Sequence, residues 1–168
     1  NRIFRKFRLK YSKHQDLWFK VLNLDQNLQR YIYMTLNCKG QLIDLKTPKI
    51  MGILNVTPDS FYDGGRFKNE EDVLIQVEKL LKEGATFIDI GAYSSRPGAD
   101  FVSKEEELKR LIPIITSVVN NFPKSLISVD SFRSDVIKTA VEAGAAMVND
   151  ISGGQQDPLM FETVGALG

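Results

Sequence analysis

Between Ile50 and the end of the chain one pattern occurs four times: a short apolar run, a polar connection, then a stretch of helical periodicity. The first run is IMGILNV (Ile50 to Val56), near-continuously apolar as in strands buried on both faces. The spacing predicts a helix over Glu70 to Glu83, with Asn69 as N-cap and Gly84 just past its end. Phe87 to Ala92 is the second run. Its helix opens on a capping box, Ser103 with Glu106, and extends to about Asn121 with Pro113 as a place for a kink. Ser125 to Ser131 is the third, followed by a helix from about Arg133 to Ala143 that ends at Gly144. Met147 to Ile151 is the fourth, and Asp157 with Pro158 offers an N-cap and first-turn proline for a last helix.

Alternating buried strands and helices impose a parallel sheet with right-handed crossovers, either a barrel or a doubly wound open sheet. Period alone does not choose between them. A (β/α)8 barrel takes about 250 residues, and residues 34–168 supply only enough for its first half. Ahead of the repeats, MTLNC, KG and QLIDL read as a β-hairpin turning at Gly40.

A boundary falls near Met34, because charge is unevenly spread. Residues 1–33 hold eight Lys or Arg and two acids, so the remainder is net negative although the whole chain is +1. The stretch FRKFRLKY could mark a nucleic-acid or membrane surface, but one short basic run without a partner motif reads better as a solvated tail or an upstream, non-native or disordered extension. Neither nucleic acid nor membrane is expected as a partner. The only histidine, His14, lies in this segment, which removes histidine catalysis and histidine metal sites from the remainder. One cysteine, Cys38, permits no internal disulfide and no four-thiolate site, so a cytoplasmic setting is the expectation.

In either architecture ligands bind at the carboxyl ends of the strands. That edge receives Asn55, Thr57, Asp59 and Ser60 from the first unit, and Asp89, Ser94, Ser95 and Arg96 from the second. Asp130, Ser131 and Arg133 follow from the third, and Asn149, Asp150 and Ser152 from the fourth. Capping explains Ser103 and Asp157. It explains Asn55, Asp89, Asp130 and Asn149 poorly, since they sit within strand patterns, where an unpaired buried polar group costs about 1–3 kcal/mol. Carboxylates and amides suit a planar heterocycle with adjacent N–H donors, Arg96 suits an anion, and a hard cation would need only one or two protein oxygens beside phosphate oxygens. Neither GxxxxGK[ST] nor GxGxxG follows any strand, which disfavours generic nucleotide binding.

These residues resemble the dihydropteroate synthase family. The resemblance rests on GILNVTPDSFYDGGRF (Gly52 to Phe67), FIDIGAYSSRPGA (Phe87 to Ala99), ISVDSFR (Ile127 to Arg133) and VNDISGG (Val148 to Gly154). It implies a (β/α)8 barrel and the joining of para-aminobenzoate to 6-hydroxymethyl-7,8-dihydropterin diphosphate, with release of pyrophosphate and a requirement for Mg2+. By resemblance Asn55 contacts the metal. Ser95, where the family usually has threonine, contacts the pterin substrate or its diphosphate, and Asp130, Asn149 and Asp89 bind the pterin. Asp59, Ser60 and Arg96 fall on two loops that close over the diphosphate and shape the para-aminobenzoate pocket. Tyr93 stands where Glu or Val is common. The family's later pterin-binding residues and its dimer helices have no counterpart here. The chain is therefore expected to be an incomplete piece of a longer, usually homodimeric enzyme, inactive and poorly soluble alone. The alternatives are the pterin-binding module of a methyltetrahydrofolate methyltransferase and a non-catalytic remnant.

Overall fold

The computed structural model describes residues 4–11, 15–22, 35–56, 70–93 and 101–168. Strands β1 (Phe4–Tyr11) and β2 (Gln15–Leu22) pair antiparallel, with Phe4 opposite Leu22 and Tyr11 opposite Gln15. A strand pair thus occupies part of the segment that its charge suggested was a solvated tail. FRKFRLKY places Phe4 and Phe7, then Leu9 and Tyr11, among cations, and its β-branch-poor composition hid the strand signal.

Strands β3 (Thr35–Cys38) and β4 (Gln41–Asp44) form the expected hairpin. Lys39 and Gly40 both take positive φ, 50° and 77°, as a two-residue turn matched to strand twist requires. The Asn37 side chain accepts from the Gly40 N–H at 3.0 Å and secures it.

The main sheet contains β5 (Ile50–Asn55), β6 (Ala85–Gly91), β7 (Leu126–Asp130) and β8 (Met147–Asn149), parallel and in chain order. Between and after them run α1 (Glu70–Lys82), α2 (Lys104–Asn121), α3 (Ser134–Ala143) and α4 (Met160–Leu167). Helix α2 opens on Ser103, whose hydroxyl accepts from the Glu106 N–H, and continues unbroken through Pro113. Gly144 ends α3 with φ +123°.

All four helices among the described residues contribute to one apolar layer. Val73, Val77, Leu111, Ile115, Val118, Val136, Ile137 and Met160 pack with Leu54, Val56, Ile88, Ile90, Ile127 and Val129 of the sheet. Each such burial contributes about 1.5–3 kcal/mol. An open doubly wound sheet would carry helices on both faces and reverse its strand order, and among the described residues neither occurs. Strand alternation then assigns the other face: Met51, Ile53 and Asn55 on β5, Phe87, Asp89 and Gly91 on β6, Leu126, Ser128 and Asp130 on β7, and Met147 and Asn149 on β8.

At its amino end this second face is apolar and covered by the hairpin, with Leu36, Cys38 and Ile43 packed on Met51, Phe87, Leu126 and Met147. Lys39 Nζ, donating to the Gly144 carbonyl at 2.6 Å, ties the hairpin to the end of α3. Burial pushes the Cys38 thiol up, away from the reactive thiolate.

One capping expectation is corrected. The last helix begins at Met160, three residues beyond Asp157, and Asp157 caps α3 instead. Its Oδ2 accepts from the Ser134 N–H at 2.7 Å, where the N-cap residue Arg133 makes no side-chain cap, and Oδ1 accepts from Leu159 N–H at 2.9 Å. Sequence-local capping rules cannot reveal a carboxylate that reaches back across a βα unit. The hydrogen bonds from Ser134, then that from Leu159, hold the Asp157 carboxyl below the usual aspartate range. A carboxyl with a depressed folded pKa contributes stability above its unfolded value, near 3.9, and loses it as pH falls through the folded value. Asp157→Ala is expected to cost about 0.5–2 kcal/mol at neutral pH. The difference from wild type should shrink below about pH 4, as measured by urea unfolding across pH.

Candidate active site

The polar residues at the strand ends form a single rung. Asn55 pairs with Gly91, Gly91 with Asp130, and Asp130 with Asn149, each as the carboxyl-terminal partner of its strand pair. In-register partners of a parallel sheet point to the same side, so Asn55, Asp130 and Asn149 share the face opposite the helices. The rung below reads Ile53, Asp89, Ser128 and Met147, and the one beneath it Met51, Phe87 and Leu126. Polarity therefore rises from the hairpin-covered floor to the carboxyl-end rim.

Asp89 is 4% exposed and accepts from Asn149 Nδ2 at 2.9 Å. A carboxylate only accepts, so this contact fixes the amide orientation: the nitrogen faces Asp89, and the carbonyl oxygen is the acceptor Asn149 retains for other groups. Asn55 is exposed at its strand end, while Asp130 and Asn149 are half-buried. The backbone is tied at the same level, with Val56 N–H donating to Gly91 O at 2.8 Å and Ser131 N–H to Asn149 O at 3.1 Å.

Other rim residues serve the scaffold. Asp150 uses both carboxylate oxygens on its own loop, accepting from Ser152 N–H at 2.8 Å and Gly154 N–H at 2.9 Å. Arg133 is turned away from the rung. It donates to the Glu107 carboxylate, which is wholly buried, and through Nη2 to the Val102 carbonyl at 2.8 Å. Three rings surround the guanidinium, Phe132 at 4.8 Å, Tyr93 at 5.4 Å and Phe101 at 5.8 Å, and Tyr93 meets Phe132 edge-on. The position of Tyr93 thus has a packing account. Sequence reasoning missed Glu107, because a glutamate in the acidic first turn of a helix reads as a solvated dipole partner.

Asp59, Ser60, Ser95 and Arg96 lie outside the described residues. Among those described, no group of three or more His, Cys, Asp or Glu stands ready to hold a metal. A hollow of about 460 Å³ lined by Leu81, Ala85, Phe122 and Pro123 sits at the amino ends of the strands. It is on the wrong side of the sheet for this rung, so its size does not mark the site.

Residues 51–168 match the family described as pterin binding enzyme. Dihydropteroate synthase of Haemophilus influenzae is 48% identical over 130 residues, covering 77% of this chain and 46% of the relative. The mitochondrial folate synthesis bifunctional protein of Pisum sativum is 48% identical over 154 residues, covering 90% of this chain and 30% of its own length. The solved dihydropteroate synthase of Xanthomonas albilineans with 4-aminobenzoic acid superposes with a TM-score of 0.71 and 43% identity, over 79% of this chain and 48% of that one. The same enzyme in complex with 7,8-dihydropteroate gives a TM-score of 0.68 and 39% identity over 80% and 48%. The chain spans less than half the length of each of these relatives. Since the matched span takes in all four strand ends that build the polar rung, the chain belongs to the pterin-binding enzyme family.

Proposed function

We propose that this chain carries the first four βα units of a (β/α)8 dihydropteroate synthase, and with them the pterin-binding half of its site. The observation supporting this is the rung itself: two amides and a carboxylate from three strands, on one face, with a second carboxylate beneath. Asp130 accepts from adjacent N–H donors of the pterin ring, and Asn149, held by Asp89, supplies the neighbouring acceptor. Asn55 offers one exposed amide oxygen. With no acidic cluster around it among the described residues, that suits a hard cation held mostly by substrate phosphate oxygens and water. Bound there, Mg2+ would neutralise charge on the departing diphosphate.

In the reaction, the aniline nitrogen of para-aminobenzoate bonds to the exocyclic methylene carbon, while the carbon–oxygen bond to diphosphate breaks and its electron pair leaves with pyrophosphate. The nitrogen then loses a proton to solvent. No protein nucleophile is needed. The residues of the rung orient the ring so that the methylene faces both leaving group and amine. Asp59, Ser60, Ser95 and Arg96 bind the diphosphate and amine sides. The complete enzyme acts as a cytoplasmic homodimer.

The parallel edges of β5 and β8 have no further strand in the sheet among the described residues, and such edges favour association. The remaining units of the barrel cover them. Expressed alone, the chain is expected to aggregate and to turn over neither substrate. The full-length protein carrying it should release pyrophosphate and form dihydropteroate from both substrates. A full-length protein that transferred a methyl group from methyltetrahydrofolate and formed no dihydropteroate would overturn this function.

A further inference from the structure

The carboxyl-end rung is broken by a residue with no side chain. Gly91 stands between Asn55 and Asp130, directly after the buried Asp89 on the same face of β6. Glycine within a strand weakens it and requires a reason. Backbone conformation does not supply one, because Gly91 is absent from the positive-φ glycines, so alanine could adopt the same φ and ψ. Space does supply one. A Cβ at position 91 would lie 3.2 Å from Asp130 Cβ and 3.5 Å from its carbonyl oxygen and Oδ2. The first of these atoms is fixed to the β7 backbone and cannot rotate away.

We propose that Gly91 is a specificity-determining residue: its missing side chain leaves the slot in which the edge of the pterin ring lies beside the Asp130 carboxylate. The inference rests on the pterin reading above and goes beyond it by assigning the room in the site to one position. A methyl there must move Asp130 by a few tenths of an ångström and fill part of the slot. Flat-ring recognition by paired hydrogen bonds tolerates little such movement. The effect falls on the pterin and not on the amine substrate.

A second strand glycine provides the control. Gly52, also without positive φ, faces the helices, where an added Cβ meets Leu80 in the apolar layer, its Cδ1 and Cδ2 at 3.1 Å and its Cβ at 3.2 Å. Gly91→Ala and Gly52→Ala thus add the same methyl to opposite faces of one sheet. In the full-length protein, with pterin diphosphate as probe in calorimetry, Gly91→Ala is expected to raise Kd roughly ten- to hundredfold. It should raise KM for that substrate and leave KM for para-aminobenzoate unchanged. Gly52→Ala should lower the melting temperature and leave pterin Kd at the wild-type value. A Gly91→Ala protein that binds pterin diphosphate as wild type does, or that loses both substrates equally, overturns the inference. Nuclear magnetic resonance on the wild type removes dependence on the variant's folding: pterin diphosphate should shift the Gly91 amide resonance and leave that of Gly52 in place. An unmoved Gly91 resonance in the saturated protein also overturns it. Failure of the wild type to bind any pterin overturns the pterin reading itself.

Discussion

Replacing Glu107 by alanine is expected to destabilise the protein by about 3–5 kcal/mol, a large share of the roughly 5–15 kcal/mol that separates folded from unfolded states. The Glu107 side chain is completely buried and Arg133, its partner, is 15% exposed. Removing the carboxylate leaves a guanidinium largely out of water with, among the described residues, the Val102 carbonyl and three ring faces around it. The cost is that of an uncompensated charge, not the net worth of the ion pair. Two buried charges lose hydration that their attraction only partly offsets, so replacing both with apolar side chains of similar volume should be far milder. Glu107→Leu with Arg133→Met is therefore expected to recover most of the loss, in urea unfolding of wild type, single and double variants side by side. If the single and double variants were equally unstable, the pair would matter for packing alone.

The second large effect concerns binding. Asp130→Asn keeps the size of the side chain but converts one acceptor oxygen into a donor, which would face the N–H donors of a pterin. Truncating or neutralising one partner of a desolvated charge-assisted contact costs about 2–5 kcal/mol, or roughly thirty- to several-thousand-fold in Kd. Calorimetry of pterin diphosphate with the full-length protein measures this directly. Its melting temperature should change far less than that of the Glu107 variant, because Asp130 is half-buried at a strand end and not within the helix-facing core. An unchanged Kd would remove Asp130 from the site.

Much of this arrangement could be read before any coordinates. The alternation of apolar runs with helical periodicity located β5 to β8 and α1 to α3 to within a residue or two, and Lys39-Gly40 marked the hairpin turn. Asn55, Asp130 and Asn149 stood out because each interrupts a strand's apolar run just where that strand ends. Gly91 carried a signal of its own, a glycine inside FIDIGA with no turn to make, yet its meaning needed the Asp130 side chain beside it.

What lay beyond reach were contacts between residues far apart in sequence. Asp157 looks like the cap of the helix that follows it and instead caps the helix before, 23 residues upstream. Arg133 falls among the polar residues of the strand-end rim, and a glutamate 26 residues away claims it.

The amino-acid order alone specified repeated strands and helices and the residue types at each strand end, because hydrophobic periodicity and turn chemistry are local. Only the tertiary structure decided that the four described helices cover one face, and that Asn55, Gly91, Asp130 and Asn149 form one row on the other. Register and sidedness arise from how strands pair and which apolar surfaces find each other, and no single segment contains that information.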